Sequence, residues 1–349
     1  MSVVLFVLSF FVTDAFSKFI SHDCHVVRAV FDVGSGSTKM QVAEVNRCEG
    51  KKIATLLNEK RAVKYEEDRE KSKNSAYSNQ IMNEGVNSLL ELKKLAMNHG
   101  ATEFLAVGTA ALRKAQNAEF FIDLVQKKVG ITLLKISQSI EAEIGFYSGL
   151  TQFADRSKEN LVVWDIGGGS SQISYYDDNG DFGIFKTDLA AVTFKNKWMI
   201  HKNLSGDNPN PMSKADIDEL FDFSKDLLFS IPVPKELRTK IEAGVKVVGI
   251  GGLHHWGIKD LVSSETDFYT KDQIWNSRFI YANQKEIDRS YPETVNTNLA
   301  LIYSYLDRLE IQQVYTADVN LTDGLLIYPE VPLRRIFHSW LKSYFWFLR

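Results

Sequence analysis

The sequence predicts an α/β fold made of two related halves that face each other across a cleft. Three observations carry this. A short phrase occurs twice, as Val30-Phe31-Asp32-Val33-Gly34-Ser35-Gly36-Ser37-Thr38 and as Val163-Trp164-Asp165-Ile166-Gly167-Gly168-Gly169-Ser170-Ser171. At an offset of 133 residues the Asp, two Gly and one Ser of the copies coincide. Strand-like runs alternate with helical periodicity along the chain, the pattern of an α/β architecture. The 349 residues, 44% hydrophobic and 24% charged, suffice for two domains with separate cores.

The elements follow in order. The first hairpin has its tip at Asp32–Lys39. Centred on Gly36, it sets Cys24 opposite Cys48, each 12 residues from the centre. Directly opposed strand residues have Cα atoms about 4.5–5.5 Å apart, within disulfide reach. These are the only two cysteines, and a bond between them fits an oxidising compartment. The charged stretch from Lys60 to Asn79 reads as a surface loop near the cleft mouth. A helix is expected over Ile81–Met97, a strand at Phe104–Val107, a helix over Glu119–Val129 and a strand at Leu133–Ile136. Ser139–Ala154 reads as a helix crossing to the second half, which opens with the hairpin Leu161–Tyr176. Asp178-Asn179-Gly180-Asp181 is a turn and Ser205–Pro211 a loop. Ser213 begins a helix with Asp216 at capping-box spacing. A third glycine cluster, Gly249-Ile250-Gly251-Gly252, follows the apolar Val247-Val248.

The two ends are distinctive. Val3 to Val12 is apolar but too short to span a bilayer as a helix. Its length suits a signal-peptide core, with small residues at Ala15 and Ser17 for cleavage, although no Lys or Arg precedes it. Residues 1–17 are therefore expected to direct export to the periplasm or beyond; read instead as a core strand, they would leave the protein cytoplasmic. At the other end Ile336, Phe337, Trp340, Leu341, Tyr344, Phe345 and Leu348 form one helical stripe flanked by Arg334, Arg335, Lys342 and Arg349. Such a helix, 334–349, can lie on a membrane surface or pack its apolar face on the protein.

The repeated loops suit phosphate. Glycines let backbone N–H groups approach an anion closely, and Ser hydroxyls add donors. Gly34, Ser35, Gly36, Ser37, Gly167, Gly168, Gly169 and Ser170 are the candidate phosphate donors, with Gly251 and Gly252 as a third wall. An ionised Asp is acceptor-only, and Mg²⁺ is typically held by one or two carboxylates plus waters. Asp32 and Asp165 are therefore the candidate metal ligands. Neither a G-x-x-x-x-G-K-[ST] loop nor a full G-x-G-x-x-G is present. The net charge of −3 gives no global attraction for a polyanion, and nucleic acid is not an expected partner. Phosphate binding must come from local donors and metal.

At these residues the chain resembles the exopolyphosphatase/guanosine pentaphosphatase (Ppx/GppA) family of the actin-like ATPase superfamily. The match runs from about Val27 to Tyr328. It includes Val107-Gly108-Thr109-Ala110-Ala111-Leu112-Arg113 with Asn117, then Ile136-Ser137, Glu141-Ala142 and Thr322-Asp323-Gly324-Leu325-Leu326. The resemblance implies two actin-like, ribonuclease H-like domains. Domain I would comprise 26–143 plus about 320–333, and domain II 144–319. It further implies Glu141 as base for the attacking water, Arg113 as a phosphate-contacting cation, and Asp32 and Asp165 as metal- and water-orienting carboxylates. Two positions depart from the family: Gly36 stands where Asn is usual, and Gln172 where Glu is usual. The phrase Asp-x-Gly-Gly-x-Ser-x-Gln is also similar to the second loop of nucleoside di- and triphosphatases of the superfamily.

The expected activity is Mg²⁺-dependent hydrolysis of a phosphoanhydride, foremost release of terminal phosphate from polyphosphate. The alternatives are a nucleoside tri- or diphosphatase, a guanosine pentaphosphatase, and a non-catalytic polyphosphate-binding protein. A homodimer is compatible with this reading.

Overall fold

The computed structural model describes residues 24–153, 157–263 and 265–328. The expected export segment 1–17 and the stripe of 334–349 lie outside the described residues. Among the described residues no helix is long and apolar enough to cross a membrane.

Two sheets repeat one strand order. In lobe I, β1 (His25–Val33), β2 (Ser37–Asn46) and β3 (Lys51–Ala62) form an antiparallel meander, while β4 (Glu103–Gly108) and β5 (Leu133–Lys135) run parallel to β1 on its other side. The order is β3-β2-β1-β4-β5. In lobe II the same order recurs as β8 (Phe182–Thr187), β7 (Ser171–Tyr176), β6 (Leu161–Ile166), β9 (Lys246–Ile250) and β11 (Gln313–Ala317). One extra strand, β10 (Phe268–Thr270), pairs antiparallel with β11. β6 thus takes the place of β1, and Asp165 that of Asp32.

Residue type explains where each strand lies. β1 is buried from Arg28 to Val33, because its apolar run is covered on both faces. β3, carrying Lys51, Lys52, Glu59, Lys60 and Arg61, is largely exposed and closes the edge with charge.

In lobe I the helices are α1 (Tyr65–Lys71), α2 (Asn79–Asn98), α3 (Ala110–Lys114), α4 (Ala118–Val129) and α5 (Gln138–Leu150). α2 starts where the Ser78 hydroxyl accepts from the Ile81 N–H, and buries Ile81, Met82, Val86, Leu89, Leu92 and Ala96. α4 ends on Gly130 at φ 67°, the left-handed C-cap. Lobe II carries α6 (Ala191–His201), α7 (Lys214–Phe229), α8 (Lys235–Glu242), a π-helical segment Leu253–Lys259, α9 (Lys271–Ser277) and α10 (Val295–Leu309). The Ser213–Asp216 capping box opens α7 as expected. α10 is buried on nearly every side, between the sheet and α7.

The segment read as a surface loop, Lys60–Asn79, is instead the end of β3 followed by α1, with Tyr65, Glu66 and Arg69 buried. Its buried charges pair with each other: Arg69 donates to both Glu66 carboxylate oxygens, at 3.2 and 2.8 Å. Tyr65 anchors the turn against Tyr77 and Phe121.

The lobes are joined by α5 and α11 (Leu321–Ile327). Ile144 of α5 packs into the lobe I core with Leu321, Leu325 and Leu326, whereas Phe146 packs into lobe II with Val163, Val248 and Ile250. α5 and α11 touch at Gly324, whose N–H donates to Ser148 Oγ at 2.9 Å. A Cβ on Gly324 would overlap the Ile144 carbonyl.

Cys24 and Cys48 are joined in a disulfide with Cα atoms 5.2 Å apart. The hairpin register differs from the one expected. Asp32 pairs with Lys39 and His25 with Asn46, so the centre lies between Ser35 and Gly36. Continued past the ladder, that register puts Arg47 opposite Cys24, and the Arg47 N–H donates to the Cys24 carbonyl at 2.8 Å. The disulfide therefore closes diagonally past the strand ends.

Candidate active site

The two repeated phrases fold into matching turns. The Gly34 N–H donates to the Ser37 carbonyl at 3.0 Å, and the Gly167 N–H to the Ser170 carbonyl at 3.0 Å. The turns meet across the cleft. A Cβ on Gly168 would lie 3.0 Å from Ser35 Cβ, and one on Gly169 would lie 2.5 Å from Ser35 Oγ. Glycine is thus required in the second loop by the approach of the first. Gly251 sits at φ 85°, a left-handed conformation that favours glycine. Its N–H donates to the Val319 carbonyl at 2.7 Å.

A cavity of about 100 Å³ remains between the lobes. Gly34, Ser35, Gly36 and Ser37, then Gly167, Gly168, Gly169 and Ser170, and finally Gly251 and Gly252 all line it. Asp32, Glu141 and Asp165 face it as well. Every expected site residue is therefore gathered here except Arg113, which is not among the lining residues. Arg113 stands behind Glu141. Its Nη1 lies 2.6 Å from Glu141 Oε2 and 3.2 Å from the Ile136 carbonyl, and its Nη2 lies 3.3 Å from Ser170 Oγ. Its first partner is thus the Glu141 carboxylate.

Sequence reasoning passed over Lys39. Its Nζ lies 3.7 Å from Asp32 Oδ2, and it lines the cavity. The signal was the hairpin register, since Lys39 is the cross-strand partner of Asp32. The equivalent partner of Asp165 is Gln172. The two halves thus differ at this position by one positive charge. Gln172 is buried; its Nε2 donates to Ser170 Oγ at 2.9 Å, and its Oε1 has no hydrogen-bond partner.

The electrostatics follow from three carboxyl groups in one small space. Burial raises Glu141 to about 7; Arg113 opposes this, and Asp165 and Asp32 add to it. Burial raises Asp165 to about 6, with Lys39 opposing and Asp32 adding. Burial also raises Asp32, with Lys39 opposing. Each shift has the sign expected for desolvated like charges. Asp32 Oδ1 is buried with no hydrogen-bond partner. Clustered carboxylates and an orphaned acceptor are the donor set of a hard cation, so the residues fit Mg²⁺. Among the described residues no group of three or more His, Cys, Asp or Glu is placed to hold a metal. A site here would be of the two-carboxylate kind, completed by waters and phosphate oxygens.

Polar contacts also close the cleft mouth. Lys195 of α6 is fully buried; its Nζ lies 2.5 Å from Glu67 Oε1 of α1 and 2.9 Å from the Asp207 carbonyl. Asn196 donates to Glu70. Lys114 donates to the Gly169 carbonyl at 2.9 Å and lies 3.2 Å from Asp188.

Comparison with known proteins follows the same lines. A profile of the Ppx/GppA phosphatase family matches residues 41–231. A bifunctional 3-dehydroquinate synthase/phosphatase of Fusobacterium nucleatum is 22% identical over 291 residues, covering 82% of this chain. The chain spans 40% of the length of that relative. The crystal structure of the Aquifex aeolicus member of the Ppx/GppA family superposes with a TM-score of 0.64 at 19% identity, covering 88% of this chain and 98% of that one. An exopolyphosphatase from Cytophaga hutchinsonii superposes with a TM-score of 0.64 at 18% identity, covering 86% and 96%. These similarities extend over both lobes.

Proposed function

Because the chain belongs to the Ppx/GppA phosphatase family, we propose that it hydrolyses phosphoanhydrides and releases terminal phosphate from inorganic polyphosphate. The observation that carries this reading is the cavity itself. Two glycine loops face each other there, and a buried glutamate of raised pKa lines the same cavity as two aspartates.

In this reading the loops receive the terminal phosphates through backbone N–H groups and the hydroxyls of Ser35, Ser37 and Ser170. Lys39 offsets charge on the phosphate oxygens. Glu141 orients the attacking water and takes its proton. A base poised near neutrality balances availability against strength. Water oxygen bonds to the terminal phosphorus, the bridging P–O bond breaks, and the shortened chain leaves with the bonding pair. Arg113 holds Glu141 and opposes its protonation; we assign it this positioning role, in place of the direct phosphate contact that the resemblance implied. Asp32 and Asp165 would hold Mg²⁺. Bound there, the ion would neutralise phosphate charge and order water.

A second reading, a nucleoside di- or triphosphatase, is favoured by Gln172, whose uncharged side chain sits opposite Asp165. The Cys24–Cys48 disulfide supports export, since such bonds persist in oxidising compartments.

Phosphate release from long-chain polyphosphate, ATP, ADP and guanosine pentaphosphate, with Mg²⁺ and with chelator, tests the assignment. Release from polyphosphate that chelator abolishes is the expected result. Preference for nucleotides would move the assignment to the second reading. Binding without release would leave a polyphosphate-binding protein.

A further inference from the structure

The third glycine loop leads to an aromatic side chain that phosphate chemistry does not use. Gly251 and Gly252 line the cavity, and a Cβ on Gly251 would lie 3.5 Å from Asp165 Oδ1. The chain then enters the π-helical segment Leu253–Lys259. His254 points inward. It is fully buried, its Nδ1 lies 2.7 Å from the Tyr269 hydroxyl, and its ring stands edge-on to Trp164 at 4.7 Å. A Cβ on Gly249 would overlap it, so the segment is locked onto the sheet.

Trp256 differs from these inward-facing neighbours in being 57% exposed. Its Cδ1 would lie 3.9 Å from a Cβ on Gly252, and its ring stands edge-on to His255 at 4.6 Å. The indole thus stands beside Gly252, which lines the phosphate cavity, and against His255, while more than half of its surface meets solvent.

We propose that Trp256 is a stacking platform for the base of a nucleoside di- or triphosphate whose phosphates occupy the glycine loops. The proposal rests on the phosphate-binding reading above, in its second, nucleotide-hydrolysing form, and gives that form a base subsite. A linear inorganic polyphosphate is ionic along its whole length and has nothing to place on an indole. A nucleotide carries a planar aromatic group at the end of its phosphate chain. Gly252 links the two: it lines the cavity, and the indole, itself outside the lining, stands on the side where a Gly252 Cβ would project. Stacking on an aromatic ring is tolerant of base identity, so the subsite selects nucleotides as a class.

The test is binding, which does not require turnover. Wild-type protein is titrated with adenosine 5′-(α,β-methylene)diphosphate and with methylenediphosphonate, the same phosphate mimic without a nucleoside. The nucleotide is expected to bind about tenfold tighter and to quench tryptophan fluorescence. In Trp256→Ala the ratio of the two affinities should fall about tenfold. In Trp256→Phe most of the ratio should survive while the quench is lost, which separates this ring from the other tryptophans. An unchanged ratio in Trp256→Ala overturns the subsite and leaves the phosphate site standing. A wild-type protein that binds neither ligand overturns both.

Discussion

Arg113 Nη1 and Glu141 Oε2 lie 2.6 Å apart, and this ion pair opposes the burial that drives Glu141 toward its neutral form. Arg113 comes from the short helix α3 and Glu141 from the crossing helix α5. The protonation of the candidate base is therefore set by the packing of these two helices.

The first prediction concerns pH. A carboxyl raised to about 7 is an effective base only above that pH, so kcat/KM for phosphate release falls as pH drops through neutrality. Arg113→Met removes the opposing charge, raises Glu141 further and moves the acid limb to higher pH. Saturating Mg²⁺ moves it lower, because a cation offsets the repulsion from Asp32 and Asp165. A pH–rate profile of wild type and variant checks both signs. An acid limb unmoved by Arg113→Met would remove the pair from the account.

Loop contact gives the second. Gly169→Ala drives a methyl group into Ser35 Oγ, at 2.5 Å, and into Ala110 Cβ, at 3.0 Å. Overpacking of this kind costs about 1–3 kcal/mol. Thermal unfolding should show the loss, and phosphate release should fall with it. Adding Ser35→Gly should recover part of the stability, the contact with Ala110 Cβ remaining.

The closed mouth gives a third. Lys195→Met leaves Glu67 without its buried cation, and breaking such a pair costs about 3 kcal/mol. The double variant Lys195→Met/Glu67→Gln should recover most of this in chemical denaturation. Small-angle scattering should show both variants more expanded than wild type, since the pair bridges the lobes. An unchanged radius of gyration would show that other contacts hold the cleft.

A fourth concerns the disulfide. Reduction, or Cys24→Ser with Cys48→Ser, should destabilise the protein by about 3 kcal/mol. Denaturant unfolding with and without reductant measures it, and the double variant should no longer respond to reductant.

Much of this was legible in the sequence because a repeat encodes geometry directly. The coincidence of Asp32 with Asp165 and of Gly34 with Gly167 predicted matching turns, and their hydrogen bonds are equal in length. Periodic apolar residues placed α2 and α4 to within a few residues. Buried charge was not legible. Glu66 and Arg69 lie in a charged stretch that reads as a surface loop, because two nearby charges give no sign that they bury against each other one turn apart, and Lys195 is buried by Glu67 from across the cleft. Lys39 escaped notice for a different reason. A lysine after a Gly/Ser turn is ordinary until the strand register sets it opposite Asp32. The one-residue error at the disulfide has a similar cause, because turn length fixes register and a single step moves every pair.

The central claim is that the Glu141 carboxylate drives phosphoanhydride hydrolysis. The most direct measurement is phosphate release from long-chain polyphosphate by wild type and Glu141→Gln, in Mg²⁺, with polyphosphate binding measured on the same preparations. Turnover reduced by orders of magnitude, with binding retained, is the predicted result. Equal turnover in the two proteins would contradict the account.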